Sequence, residues 1–127
     1  MSLTTTKSAK VQTVETLFDA MKRQDWATIK SCLTDDVLYR VGSSDPLYGH
    51  QAVQDYLSIL YQQVRFESAD VKQIVEPEGQ VIFEMDTHYV RLQDNEPISF
   101  ACTDIMRFQG SKIREWRVYV DLSPMFT

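Results

Sequence analysis

The stretch QVIFEMDTHYVRL, residues 80–92, decides the class of fold. Its odd positions Val81, Phe83, Met85, Thr87 and Tyr89 are mainly apolar, while the even ones include Glu84, Asp86 and His88. Successive strand side chains point to opposite faces, so the odd face should meet a core and the even face water or another subunit. Residues 98–108 repeat the pattern on even positions, with Ile98, Phe100, Cys102, Met106 and Phe108 apolar and Asp104 among them. An acid in an apolar row is the most informative residue in the chain. Between the two strands, Gln93-Asp94-Asn95-Glu96-Pro97 is dense in turn formers.

Outward from this pair, residues 69–76 read as an earlier strand, ended by Glu76-Pro77-Glu78-Gly79, and residues 113–122 as a later one after Gly110-Ser111. The chain before them is helical. Val11, Val14, Leu17, Phe18 and Met21 recur at helical spacing. Asp25 is placed to cap a short second helix carrying Trp26, Ile29, Cys32 and Leu33. Asp35-Asp36 breaks that pattern, residues 37–41 suit a short strand, and residues 42–49 a loop. Val53, Tyr56, Leu57, Leu60, Tyr61 and Val64 then form one stripe of a third helix. Helices first and hairpin-linked strands afterwards mean α+β, not a parallel βαβ sheet.

The last strand leaves two registers open. If the turn pairs Phe108 with Ile113, regular counting sets Asp104 opposite Arg117, and a salt bridge is the simple account. A shift of one residue sets Asp104 opposite Val118, in an apolar pocket.

At 127 residues the chain fits one domain. Residues 1–10 are expected to be a flexible arm and residues 11–127 the single domain. With 43% hydrophobic and 24% charged residues the composition is that of a globular protein. No apolar run approaches the roughly 20 residues that cross a bilayer, and the polar start has no signal-peptide core. A cytoplasmic location is the resulting expectation. A formal charge of −5 with scattered Lys and Arg argues against nucleic acid and anionic membranes as partners. Cys32 and Cys102 lack metal-ligand spacing and read as buried free thiols.

Several local markers carry a family resemblance. They are Gln24-Asp25-Trp26 between the first helices, Leu33-Thr34-Asp35-Asp36-Val37, Tyr48-Gly49 before the third helix, and Phe108-Gln109-Gly110-Ser111-Lys112-Ile113 leading into Trp116-Arg117-Val118-Tyr119-Val120-Asp121. In this order the chain resembles the nuclear transport factor 2-like superfamily, in its SnoaL-like polyketide cyclase and ketosteroid isomerase-like branches. The resemblance implies a cone-like α+β roll: three N-terminal helices packed in the concave side of a strongly curved, mainly antiparallel sheet. It also implies a ligand pocket and a homodimer through the outer sheet face, the side of the Glu84, Asp86, His88 row.

Residue by residue, the resemblance gives little catalytic equipment. Asp104 matches the aspartic acid that the isomerase keeps protonated, but its general base falls at or near Val41 and its tyrosine at Leu17. The acids and arginine of the related limonene-epoxide hydrolase fall at Met85, Thr87 and Val118, with a tyrosine retained at Tyr39. The cyclase acid also falls on Val118. The fold hosts many reactions, so these absences matter more than the shape.

The candidate catalytic residues are therefore Asp104, as a hydrogen-bond donor or general acid, and Tyr39. The expected pocket lining adds Leu17, Trp26, Val41, Tyr56, Leu60, Tyr61, Met85, Thr87, Cys102, Met106, Trp116 and Val118. No metal or cofactor is expected. Pairing of Asp104 with Arg117, Arg40 or a backbone group is the structural alternative. His50 is expected at the surface, and Asp121 in end-of-strand hydrogen bonding. The leading expectation is a pocket for a small, mainly apolar organic molecule. A cyclase, isomerase or hydrolase using Asp104 as acid is the second, and a dimeric interaction module with a non-functional pocket the third.

Overall fold

A computed structural model describes residues 7–126. The elements run α1 (Ala9–Arg23), α2 (Trp26–Ser31), β1 (Leu33–Val41), β2 (Leu47–Tyr48), α3 (His50–Tyr61), β3 (Val64–Val75), β4 (Gln80–Arg91), β5 (Glu96–Gln109) and β6 (Lys112–Val120), closed by a 3-10 turn at Ser123–Phe126. The six strands form one sheet in the order β2-β1-β6-β5-β4-β3. All pairings are antiparallel except β1 with β6. Three helices pack against it in the cone-like α+β arrangement expected from the sequence. No helix among the described residues is long and apolar enough to cross a membrane.

Each helix end has a local cause. Ser8 caps α1 by accepting from the Val11 N–H at 3.1 Å, and its hydroxyl also bonds the Glu76 carboxylate at the end of β3. The arm is thus shorter than residues 1–10: helix begins at Ala9, and the expected flexibility of residues 1–6 lies outside the described residues. Gln24 stops α1 in the left-handed region, at φ 54°, and Asp25 caps α2 by accepting from the Thr28 N–H. Gly49, at φ 89°, turns the chain into α3, a backbone conformation suited to glycine.

Three boundaries differ from the sequence reading by more than two residues or by a whole element. Leu33 opens β1 instead of closing α2, because Asp35 and Asp36 ride outward on an irregularity where β1 leaves register with β6. The pair interrupts the ladder without ending the strand. Val64 belongs to β3, since α3 stops at Tyr61 and the Gln62 and Gln63 N–H groups close its last turn. Within the expected loop, Leu47 and Tyr48 pair with Tyr39 and Leu38 as β2. His50 is half-buried rather than exposed: its Nε2 lies 3.1 Å from the Leu33 carbonyl and ties α3 to β1.

The core follows the alternation. Val81, Phe83, Met85 and Thr87 on β4, with Ile98, Phe100, Cys102, Asp104 and Met106 on β5, are buried on the helix side. Glu84, Asp86 and His88 face outward; Asp86 lies near Lys72, and His88 Nδ1 is 2.7 Å from Ser99 Oγ. The Asp121 carboxylate accepts from the Ser123 N–H, which starts the final turn.

Candidate functional site

A cavity of about 210 Å³ lies between the helices and the inner sheet face. Its walls come from α1, α3, five strands and the C-terminal turn. An engineered cavity of about 150 Å³ holds benzene, so this one suits a single substituted ring or an aliphatic molecule of that bulk.

β5 delivers Asp104 to this space, 4% exposed. Trp116 Nε1 donates to one carboxylate oxygen at 3.0 Å, and the Cys102 thiol donates to the other at 3.2 Å. No Lys, Arg or His lines the cavity among the described residues. Burial pushes the Asp104 pKa up, against the two hydrogen bonds that favour the anion, to about 6. The expected arginine partners are elsewhere. Arg40 donates to the Ser44 carbonyl, and Arg117 donates to Glu115 at 3.1 Å.

The register explains this arrangement. Phe108 does pair with Ile113, yet Asp104 stands opposite Val118. Both registers are present because β6 has an extra residue, Arg114, between the Phe108–Ile113 and Arg107–Glu115 pairs. The bulge lets Ile113 and Trp116, of opposite parity, both face the core. It also turns Arg117 to the outer face. A regular strand continuing from Ile113 would have aimed Arg117 at the acid.

Tyr39 is 4% exposed, with its ring 4.5 Å from that of Trp116 and edge-on to Tyr56 at 5.4 Å. Burial first, then the neighbouring Tyr56 and Asp104, hold its hydroxyl in the neutral form. The other wall carries Tyr89 between Phe66 and Phe100, at ring distances of 5.2 and 5.6 Å. The hydroxyls of Tyr39, Tyr56 and Tyr89 have no hydrogen bond among the described residues, although all three side chains line the space. Burial also raises the Cys102 thiol pKa, helped by the adjacent Asp104, so the thiol stays protonated.

Of the residues expected at the pocket, Tyr39, Val41, Tyr56, Leu60, Met85, Thr87, Cys102, Asp104, Trp116 and Val118 line it together. Leu17 and Met106 are buried in the core behind it, and Trp26 packs on Tyr61, ring centroids 6.2 Å apart, away from the lining. Val41, Met85, Thr87 and Val118 occupy the wall without supplying a charge. Sequence reasoning missed Phe66, Tyr89 and Phe100, although the inward parity of Tyr89 and Phe100 was visible. It also missed Leu122 and Met125, which follow the last strand and close one end of the cavity. The apolar residues around Pro124 were the available signal. Trp116 as a donor to Asp104 had no signal without the bulge.

The SnoaL-like domain family model matches residues 14–116. No curated protein matches the sequence significantly. Among solved structures, the fold is similar to that of a protein from Shewanella putrefaciens CN-32, provisionally named a SnoaL-like polyketide cyclase, with TM-score 0.83 and 12% identity over 95% of this chain and 96% of that one. An NTF2-like protein of unknown function from Burkholderia pseudomallei K96243 gives 0.81 and 15%, over 94% and 96%. An LEH-like epoxide hydrolase from M. tuberculosis gives 0.77 and 21%, over 93% and 86%. At these identities the likeness is one of fold.

Proposed function

This chain belongs to the SnoaL-like domain family, and we propose that its cavity binds a small, mainly apolar organic molecule whose polar end is held by Asp104 and Tyr39. The observation that carries the reading is Asp104 itself, a buried acid on the wall of an otherwise apolar cavity, with neutral groups as its only hydrogen-bonding partners among the described residues. Burial of an acid without a cation is costly, and such a group beside open space is suited to orient a ligand. Apolar walls supply affinity, and the few polar tips supply direction.

Benzyl alcohol matches the cavity in bulk and has one polar end. Titrating it is expected to shift the NMR signals of the Trp116 indole N–H and the Asp104 carboxyl. Val118→Phe fills the space opposite Asp104, and Ala69→Leu fills another part of the wall. Either, folded by circular dichroism, should abolish those shifts. Equal binding by wild type and a folded, filled variant would sink the reading.

The Asp104 pKa of about 6 favours a second reading. A carboxyl titrating near neutrality can give and take a proton, with the neutral Tyr39 phenol as a second hydrogen-bond donor. A cyclase, isomerase or hydrolase reaction of the kind named for the structural relatives is the corresponding proposal. An interaction module with a filled cavity is less well supported, because open space remains beside Asp104. A homodimer through the outer sheet face stays part of the proposal. Arg107 and Arg117 lie at one end of that face, with Glu84 and Asp86 on the neighbouring β4, so two copies can pair opposite charges. Sedimentation that shows monomers at high micromolar concentration in low salt would remove it.

A further inference from the structure

The cavity lining carries one acid and two groups of aromatic rings, set among aliphatic side chains. Tyr39, Tyr56 and Trp116 form one aromatic wall, and Phe66, Tyr89 and Phe100 form the other. Asp104 sits on the strand that also carries Phe100. Its two oxygens each take one neutral donor and retain acceptor capacity. Buried charges in proteins are generally paired, yet no cationic side chain lines this cavity among the described residues. Aromatic faces attract cations through the ring quadrupole, most strongly where water is excluded.

We propose that the polar end of the ligand is an organic ammonium group, which pairs with the Asp104 carboxylate between the two aromatic walls. The proposal rests on the reading of the cavity as a binding site and names the ligand's charge. Tyrosine oxygens suit the same occupant, since Tyr39, Tyr56 and Tyr89 can turn their lone pairs toward a cation. An anionic ligand would meet Asp104 with no positive group to offset it. The other titratable groups lining the cavity with Asp104 are Cys102 on β5, Tyr39 on β1, Tyr56 on α3 and Tyr89 on β4; burial raises the pKa of each, so they stay neutral from pH 5 to 7.5. Asp104 alone then controls the pH response.

The test compares choline with 3,3-dimethylbutan-1-ol, in which carbon replaces the charged nitrogen at almost the same shape. Both are titrated against the full chain by NMR, following the Trp116 indole N–H. At pH 7.5 choline is expected to bind about tenfold more tightly or better. Its affinity should drop about tenfold by pH 5, as a carboxyl with pKa about 6 takes up its proton. The alcohol should show no such slope. Asp104→Asn should remove both the preference and the slope, with circular dichroism confirming the fold. Equal affinity for the two probes, or a pH-independent affinity for choline, overturns the ammonium assignment and leaves the binding reading intact. Failure of both probes and of benzyl alcohol overturns the two together.

Discussion

Two acids on neighbouring strands meet opposite surroundings. Asp104 on the inner face of β5 has Trp116 and Cys102 as neutral donors, and burial raises its pKa to about 6. Glu115 on the outer face of β6 lies among Arg107, Arg114 and Arg117, at 3.1, 3.3 and 3.1 Å. Partial burial raises the Glu115 pKa, but its bonds to Arg117 and Arg107 outweigh that and hold it below the ordinary glutamate value. The same two strands thus keep one carboxyl poised near neutrality and the other firmly ionised. Depth and cationic groups together separate the two cases: Asp104 is buried without a cation among the described residues, while Glu115 is less deeply placed among arginines on the outer face. The inner face gains a buried carboxyl without a counter-ion, and the outer face gains an ion-pair network.

The comparison breaks most completely at Trp116. Trp116→Phe removes the indole donor and leaves unfilled volume in the core, so unfolding free energy should fall by about 4 kcal/mol in urea titrations. The carboxyl signal of Asp104 should then titrate above pH 6. A pKa that stayed put would mean that the indole bond does not hold the acid.

Next in size is the pH dependence due to Asp104. Its folded pKa lies above the unfolded value, so the folded state holds the proton more firmly. The resulting stability is fully present below about pH 3.8 and disappears as pH rises through about 6. Wild type should therefore lose on the order of 3 kcal/mol, relative to Asp104→Asn, between pH 4 and 7.5. Parallel stability curves for the two proteins would contradict a desolvated Asp104.

Glu115 supplies the smallest effect and the opposite sign. Its depressed pKa contributes stability above the unfolded pKa, and this is lost as pH falls. Glu115→Gln should cost less than about 1 kcal/mol at pH 7, since partly exposed ion pairs contribute little and are screened. Addition of salt should shrink the difference. A larger, salt-insensitive loss would show that the outer network holds the fold together as firmly as the inner core does.

Much of this contrast was legible in the sequence. The alternation in residues 80–92 and 98–108 assigned both faces of β4 and β5, and it singled out Asp104, because period-two patterning survives in any register. Boundaries were weaker. Val64 continued the α3 stripe by spacing alone, and Asp35-Asp36 looked like an end to structure when it only bows the strand outward. The partners of Asp104 were hidden for a different reason. They depend on Arg114 standing unpaired in β6, and a bulge leaves no signature in apolar spacing except the parity conflict between Ile113 and Trp116. In the sequence it surfaced only as two open registers for the last strand, without their cause.

The bulge at Arg114 also makes the chamber's chemistry a matter of counting. One supernumerary residue shifts the phase of β6, and the phase decides whether the acid inherits a hydrocarbon neighbour or a built-in counter-ion. Point substitution at Asp104 changes a group, whereas a single-residue insertion or deletion in β6 beyond the bulge would exchange Val118 for a neighbour in sequence across the whole strand. Variation in strand length is thus a direct route by which this scaffold can switch between an interior with an unpaired acid and a self-neutralised one, with its inventory of side chains almost unchanged.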